Sequence, residues 1–199
     1  PAGSAGPVRV SAEMGTTSAL PGFNAPSVGF EQPFAMLEAC HERVQRTLAL
    51  LQRLRAHVLE HGADVPAQQA ARDVLRYFDI AAPLHHEDEE LHVFPLLLAQ
   101  GSPDVAALVR RLQDDHACMA ADWADARKAL QALVDGDLKG FSDADGAAFD
   151  QFTARYDRHI ADEETVAYPS AQALLATPAL QAMGNEMAAR RKAPPPVRQ

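Results

Sequence analysis

Cysteine is scarce: Cys40 and Cys118 are the only two in 199 residues. Two isolated thiols do not form a disulfide framework, and the fold must be held without one. Basic clusters are missing as well. With 18 Lys and Arg against 27 Asp and Glu, the formal net charge is −9. Extended binding to nucleic acid phosphates is built from clustered cations, so that class of partner is not expected. No apolar run approaches the roughly 20 residues that a membrane span needs. No charged-then-apolar leader pattern is read near the N-terminus. Together these absences point to a cytoplasmic protein with no nucleic acid or membrane partner.

What is present suits one domain with tails. Apolar residues make up 47% of the chain, an ordinary globular share. Residues 1–30 are rich in Pro, Gly, Ser and Ala and have no period, as expected of a flexible N-terminal segment. Residues 31–176 carry helical periodicity throughout. Residues 177–199 suggest a short C-terminal helix, opened by Thr177-Pro178 and ending near Arg190, then a tail whose Pro194-Pro195-Pro196 cannot continue a helix.

Four apolar seams can be traced in steps of three and four. The first is Phe34, Leu37, His41, Val44, Leu48, Leu51 and Val58, stopped at Gly62. The second opens at Asp64 and Pro66 and runs Leu75, Phe78, Ala82, His85, Glu89, His92 and Leu96, with kinks expected at Pro83 and Pro95. The third opens at Ser102-Pro103 and runs Val105, Val109, Leu112, His116, Met119, Trp123, Ala126, Leu130 and Leu133. The fourth follows a Ser142/Asp145 capping pair and runs Phe149, Phe152, Tyr156, His159, Glu163, Val166 and Ala173. Short turns between long amphipathic helices imply an all-α, up-down-up-down four-helix bundle.

The informative anomaly is polar residues on dry seams. His41, His85, Glu89, His116, His159 and Glu163 would each be costly to bury without a partner. If they face one another and share metal ions, one explanation serves all six. His85 to Glu89 and His159 to Glu163 are both i to i+4 steps, which set each pair on one helix face about 6 Å apart along the axis. The match extends further. Phe78, His85, Asp88, Glu89, Glu90, Phe94 and Pro95 recur as Phe152, His159, Asp162, Glu163, Glu164, Tyr168 and Pro169 at identical offsets. His41 precedes His85 by 44 residues, and His116 precedes His159 by 43. The chain is two copies of one helix pair, and a pseudo-two-fold axis would set two metals side by side with the glutamates able to bridge them.

Between residues 33 and 175 this pattern resembles the hemerythrin-like, or HHE cation-binding, family. The resemblance rests on His41, His85-x-x-x-Glu89 with Phe94-Pro95, His116, and His159-x-x-x-Glu163 with Tyr168-Pro169. It implies two non-haem iron ions with an oxo or hydroxo bridge. It also implies roles in binding oxygen, nitric oxide or peroxide, or in handling iron. The chain departs from the oxygen carriers, which place a second His four residues after the third-helix His, where Ala120 stands here. They also use His-x-x-x-x-Asp on the fourth helix. The site is therefore closer to the four-His, two-Glu branch that includes iron-centre repair proteins, although their cysteine-bearing N-terminal domain is not evident.

Other polar residues have simpler readings. His86, about 100° around the helix from His85, should face solvent or a neighbour; with Glu90 it offers a competing His-x-x-x-Glu register. His92 is either a ligand, a support for one, or neither. Asp88, Asp114, Asp115 and Asp162 are read as solvated, His57 and His61 as structural, and the cysteines as packing. Tyr156 belongs to the core, with a hydrogen bond to the site as its alternative role. Four functions compete. The leading one is a di-iron protein that binds or senses a small ligand. The others are an enzyme consuming peroxide or nitric oxide, a ferritin-like oxidase (disfavoured because the lone-helix positions are His41 and His116), and a plain structural bundle, which leaves the buried glutamates unexplained.

Overall fold

In the computed structural model, which describes residues 28–192, five helices follow one another and no strand occurs among the described residues. Helix α1 spans Pro33–His61. Helix α2 covers residues 65–100, α3 spans Pro103–Asp135, and α4 covers residues 143–174 with a one-residue break at Arg155. Helix α5 spans Thr177–Lys192. The first four form the all-α bundle, and α5 lies against α1 and α2. Most of the N-terminal segment expected to be flexible, residues 1–27, and the tail at 193–199 lie outside the described residues.

The starts and stops follow local chemistry. Asp64 caps α2 by accepting from the Ala67 amide at 2.8 Å, and its carboxylate also holds His57 at 2.9 Å. Ser102 caps α3, and Ser142 with Asp145 forms a reciprocal capping box on α4. Gly136 ends α3 in the left-handed region at φ 82°, which costs glycine little.

Three π-helical turns interrupt α2 and α4, at Tyr77–Ala81, Glu89–Val93 and Glu163–Ala167. Each closes on a backbone bond five residues back: Ala82 to Tyr77, Phe94 to Glu89, and Tyr168 to Glu163. Each also sits just before a proline, Pro83, Pro95 or Pro169. A proline lacks the N–H of a regular turn and clashes with the carbonyl four residues earlier; a widened turn relieves both. These turns stand where simple kinks were expected at Pro83 and Pro95.

The extra residue in each π turn rotates everything after it by one position. In α2 the seam therefore continues as Val93, Phe94 and Leu97, all fully buried, and not as His92 and Leu96. In α4 it continues as Ala167, Tyr168 and Ala171, while Val166 is only partly buried and Ala173 is exposed. Buried apolar residues gather in two clusters. One lies around Leu51, Val74, Leu130 and Phe152, the other around Leu37, Phe94, Leu112 and Tyr168. Burying each such large side chain contributes roughly 1.5–3 kcal/mol. The polar seam residues lie where these clusters leave a gap.

Candidate metal centre

All six sequence-predicted residues face one another, and none is more than 7% exposed. One group consists of His41 from α1, His85 and Glu89 from α2, and Glu163 from α4, with a donor atom of each within 4.8 Å of the others. His41 Nε2 is 3.1 Å from Glu163 Oε2, and His85 Nε2 is 3.5 Å from Glu89 Oε1. The other two imidazoles lie alongside. His116 Nε2 and His159 Nε2 are 3.1 Å apart; His159 Nε2 is 3.0 Å from Glu163 Oε1, and His116 Nε2 is 3.4 Å from Glu89 Oε2. Both glutamates thus stand between the two pairs of histidines.

These approaches are close but poorly aligned. Glu89 Oε2 and both oxygens of Glu163 are buried without a hydrogen-bond donor. Buried carboxylate oxygens almost always find a partner. Oxygens that lack one and converge with four imidazole nitrogens are a donor set suited to cations, and the residues therefore fit a metal.

The outward nitrogens support that orientation. His41 Nδ1 donates to Glu164 at 2.9 Å, and His116 Nδ1 donates to Glu90 at 3.0 Å. Asp115 stands 3.5 Å from His159 Nδ1, at the limit of hydrogen-bond reach. A carboxylate behind Nδ1 fixes the tautomer and aims the Nε2 lone pair inward. The backing crosses between the repeats: Glu90 of the first supports His116 of the second, and Glu164 of the second supports His41 of the first. Glu90 and Glu164 therefore belong to the site. Each follows a seam glutamate in both copies, and that placement was the signal available for finding them.

The rings above the site also match in pairs. Phe94 stacks on His116 with centroids 5.4 Å apart, and Tyr168 stacks on His41 at 5.5 Å. The Tyr168 hydroxyl donates to Glu89 and lies 3.2 Å from His41 Nε2. Tyr168, not Tyr156, is the phenol at the centre; Tyr156 packs with Phe78 and Phe152. The sequence hint was a tyrosine where the other copy has Phe94.

Electrostatics divide the two glutamates. Burial, then the neighbouring Glu89 charge, push Glu163 up to about 8. Burial opposes ionisation of Glu89 too, but His85 and His116 hold it well below the usual carboxylate range. Burial lowers His85 to about 3 and also lowers His86 and His159, keeping them neutral and able to donate a lone pair.

Three readings need correction. His86 turns inward, stacking on His116 with centroids 4.0 Å apart. His92 does not join the centre: its Nε2 meets Glu186 of α5 at 2.5 Å, because the π turn carries it off the seam. Asp88 is not solvated. It is fully buried and held by Arg190 at 2.7 Å and Arg191 at 2.6 Å, both from α5.

The chain matches the profile of the hemerythrin HHE cation-binding domain over residues 32–171, the span that supplies every side chain of this centre. It belongs to that family. An uncharacterised protein of Haemophilus influenzae is similar to it, 32% identical over 163 residues that cover 82% of this chain and 92% of that protein. As an HHE domain, the bundle is a cation-binding scaffold whose His and Glu cluster fits metal. No described helix is long and apolar enough to cross a membrane.

Proposed function

We propose that this HHE domain holds two iron ions and uses them to bind or sense a small ligand (oxygen, nitric oxide or peroxide) or to handle iron. The observation that carries the reading is the pair of buried glutamates, with unpartnered oxygens set between two pairs of imidazoles. His41, His85, Glu89, His116, His159 and Glu163 would hold the metals. Imidazole and carboxylate suit iron, although they also suit zinc and manganese. Iron bound there supplies a redox-active Lewis acid with coordination positions open to a small ligand.

The chain's own groups prepare that centre. Glu164 and Glu90 orient His41 and His116, and the Tyr168 hydroxyl fixes Glu89. The two apolar clusters keep bulk water from both ends. Beside the centre lies a cavity of about 560 Å³, lined by residues that include Ala120, Met119, Trp123 and His86. It gives a small ligand room next to the metals.

Visible spectra test this function. Iron-loaded protein, reduced and then mixed rapidly with oxygen, nitric oxide or peroxide, should change spectrum with at least one of them, and the Glu89→Gln/Glu163→Gln variant should not. Iron-loaded wild type whose spectrum is indifferent to all three would contradict the proposal.

A further inference from the structure

The repeat makes one residue conspicuous. His85 corresponds to His159, so His86 corresponds to Ile160. Ile160 is buried in an apolar cluster, as a residue one step off the ligand seam can be. The first copy places an imidazole there instead. Its ring stacks on His116 at an interplanar angle of 14° and lies 6.2 Å from the His159 ring. One donor nitrogen each of His86, His116 and His159 falls within 4.8 Å of the others. His86 makes no hydrogen bond to any described residue. A stacked ring alone would not need nitrogens, and an imidazole taken from water without a partner is unfavourable.

Space favours the same assignment. Ala120 lies one turn along α3 from His116 and carries only a methyl group. It lines the same cavity as His86, so α3 offers no second donor on this side and α2 does. We propose that His86 is a fifth imidazole ligand, joining His116 and His159 at the second metal position. The centre is then unequal: two imidazoles, His41 and His85, serve one position and three serve the other, with Glu89 and Glu163 between them. This inference rests on the two-metal reading above.

The test separates a ligand from a packed ring. His86→Phe keeps an aromatic ring over His116 and removes both nitrogens; His86→Ala removes both the ring and the nitrogens. Apo melts of each variant establish that it folds. Wild type and both variants are loaded with ferrous iron, counted by elemental analysis and challenged with a chelator. Wild type should hold two irons. Each variant should hold one firmly and lose the other faster by more than the roughly 10–100-fold expected for loss of a mere supporting partner, with an altered visible spectrum. If His86→Phe keeps two irons with the wild-type release rate and spectrum, the inference is overturned while the two-metal reading stands. If wild type itself takes up no more than one iron, both fall.

Discussion

The two helix pairs of this bundle share one plan and differ at a few side chains. Both carry a lone His, a His-x-x-x-Glu step, a π turn, and a ring stacked on the other pair's lone His. They differ where Tyr168 replaces Phe94, where His86 replaces Ile160, and in what covers Asp88 and Asp162. The shared residues build the donor set, and the differing ones make its two sides unequal. One phenol oxygen reaches Glu89, and nothing equivalent reaches Glu163.

Removing the shared carboxylates should have the largest effect. The Glu89→Gln/Glu163→Gln variant should lose both metals, because each oxygen pair faces histidines of both groups. Its apo form should melt above apo wild type, since it buries no charge. Metal content and apo melts check both halves of this expectation; an apo melt below wild type would show that the carboxylates are not under strain.

The two aspartates separate the repeats next. Asp88 is fully buried, so removing both of its partners with Arg190→Ala/Arg191→Ala should destabilise the protein by about 3–5 kcal/mol, the usual result of stranding a buried charge. Asp162 is partly exposed and pairs with Arg111 and Arg158. Asp162→Ala should cost only about 0–1 kcal/mol. Denaturant melts decide it, and equal costs would mean that α5 does not hold Asp88 as described.

The crossed supports should act alike. Glu90→Gln and Glu164→Gln should each weaken metal binding about 10–100-fold, by similar factors. Chelator competition measures this, and an effect confined to one variant would break the two-fold account.

Proton linkage gives a smaller effect. A carboxylate raised to about 8 in the folded apo protein contributes stability that is complete below its ordinary value near 4.5 and is lost as pH rises through 8. Glu89, held low, loses its contribution only in acid, and the lowered histidines are neutral in both states above about pH 7. His41 and His116 are raised despite burial, through Glu163 and Glu89 respectively, and push the same way as Glu163. The apo melting midpoint should therefore fall between pH 7 and pH 9, and less so with metal bound, because the metal has already displaced the Glu163 proton. An apo midpoint that rises over this range would contradict the assignment.

Much of this was legible in residue spacing. The seams of α1 and α3 follow plain helical steps, and most of their predicted positions are buried, with Val105 and Trp123 only partly so. The repeat offsets foretold that His41, His85, Glu89, His116, His159 and Glu163 would meet. What was hidden depended on the backbone. A straight-helix period cannot anticipate an inserted residue, so His92, Val166 and Ala173 were placed on seams from which the π turns rotate them. Pro95 and Pro169 marked the spot without telling the direction. Asp88 was unreadable for another reason: its partners lie about a hundred residues away on α5, and no local pattern links them. His86 was visible as half of a rival register, yet the choice between registers concealed that both His85 and His86 turn inward.

The most direct test is a count. Apo protein is reconstituted with excess ferrous iron without oxygen, passed through a desalting column, and analysed for iron per chain. A centre built from two paired helices predicts about two irons. One firmly bound iron, or none, would contradict it.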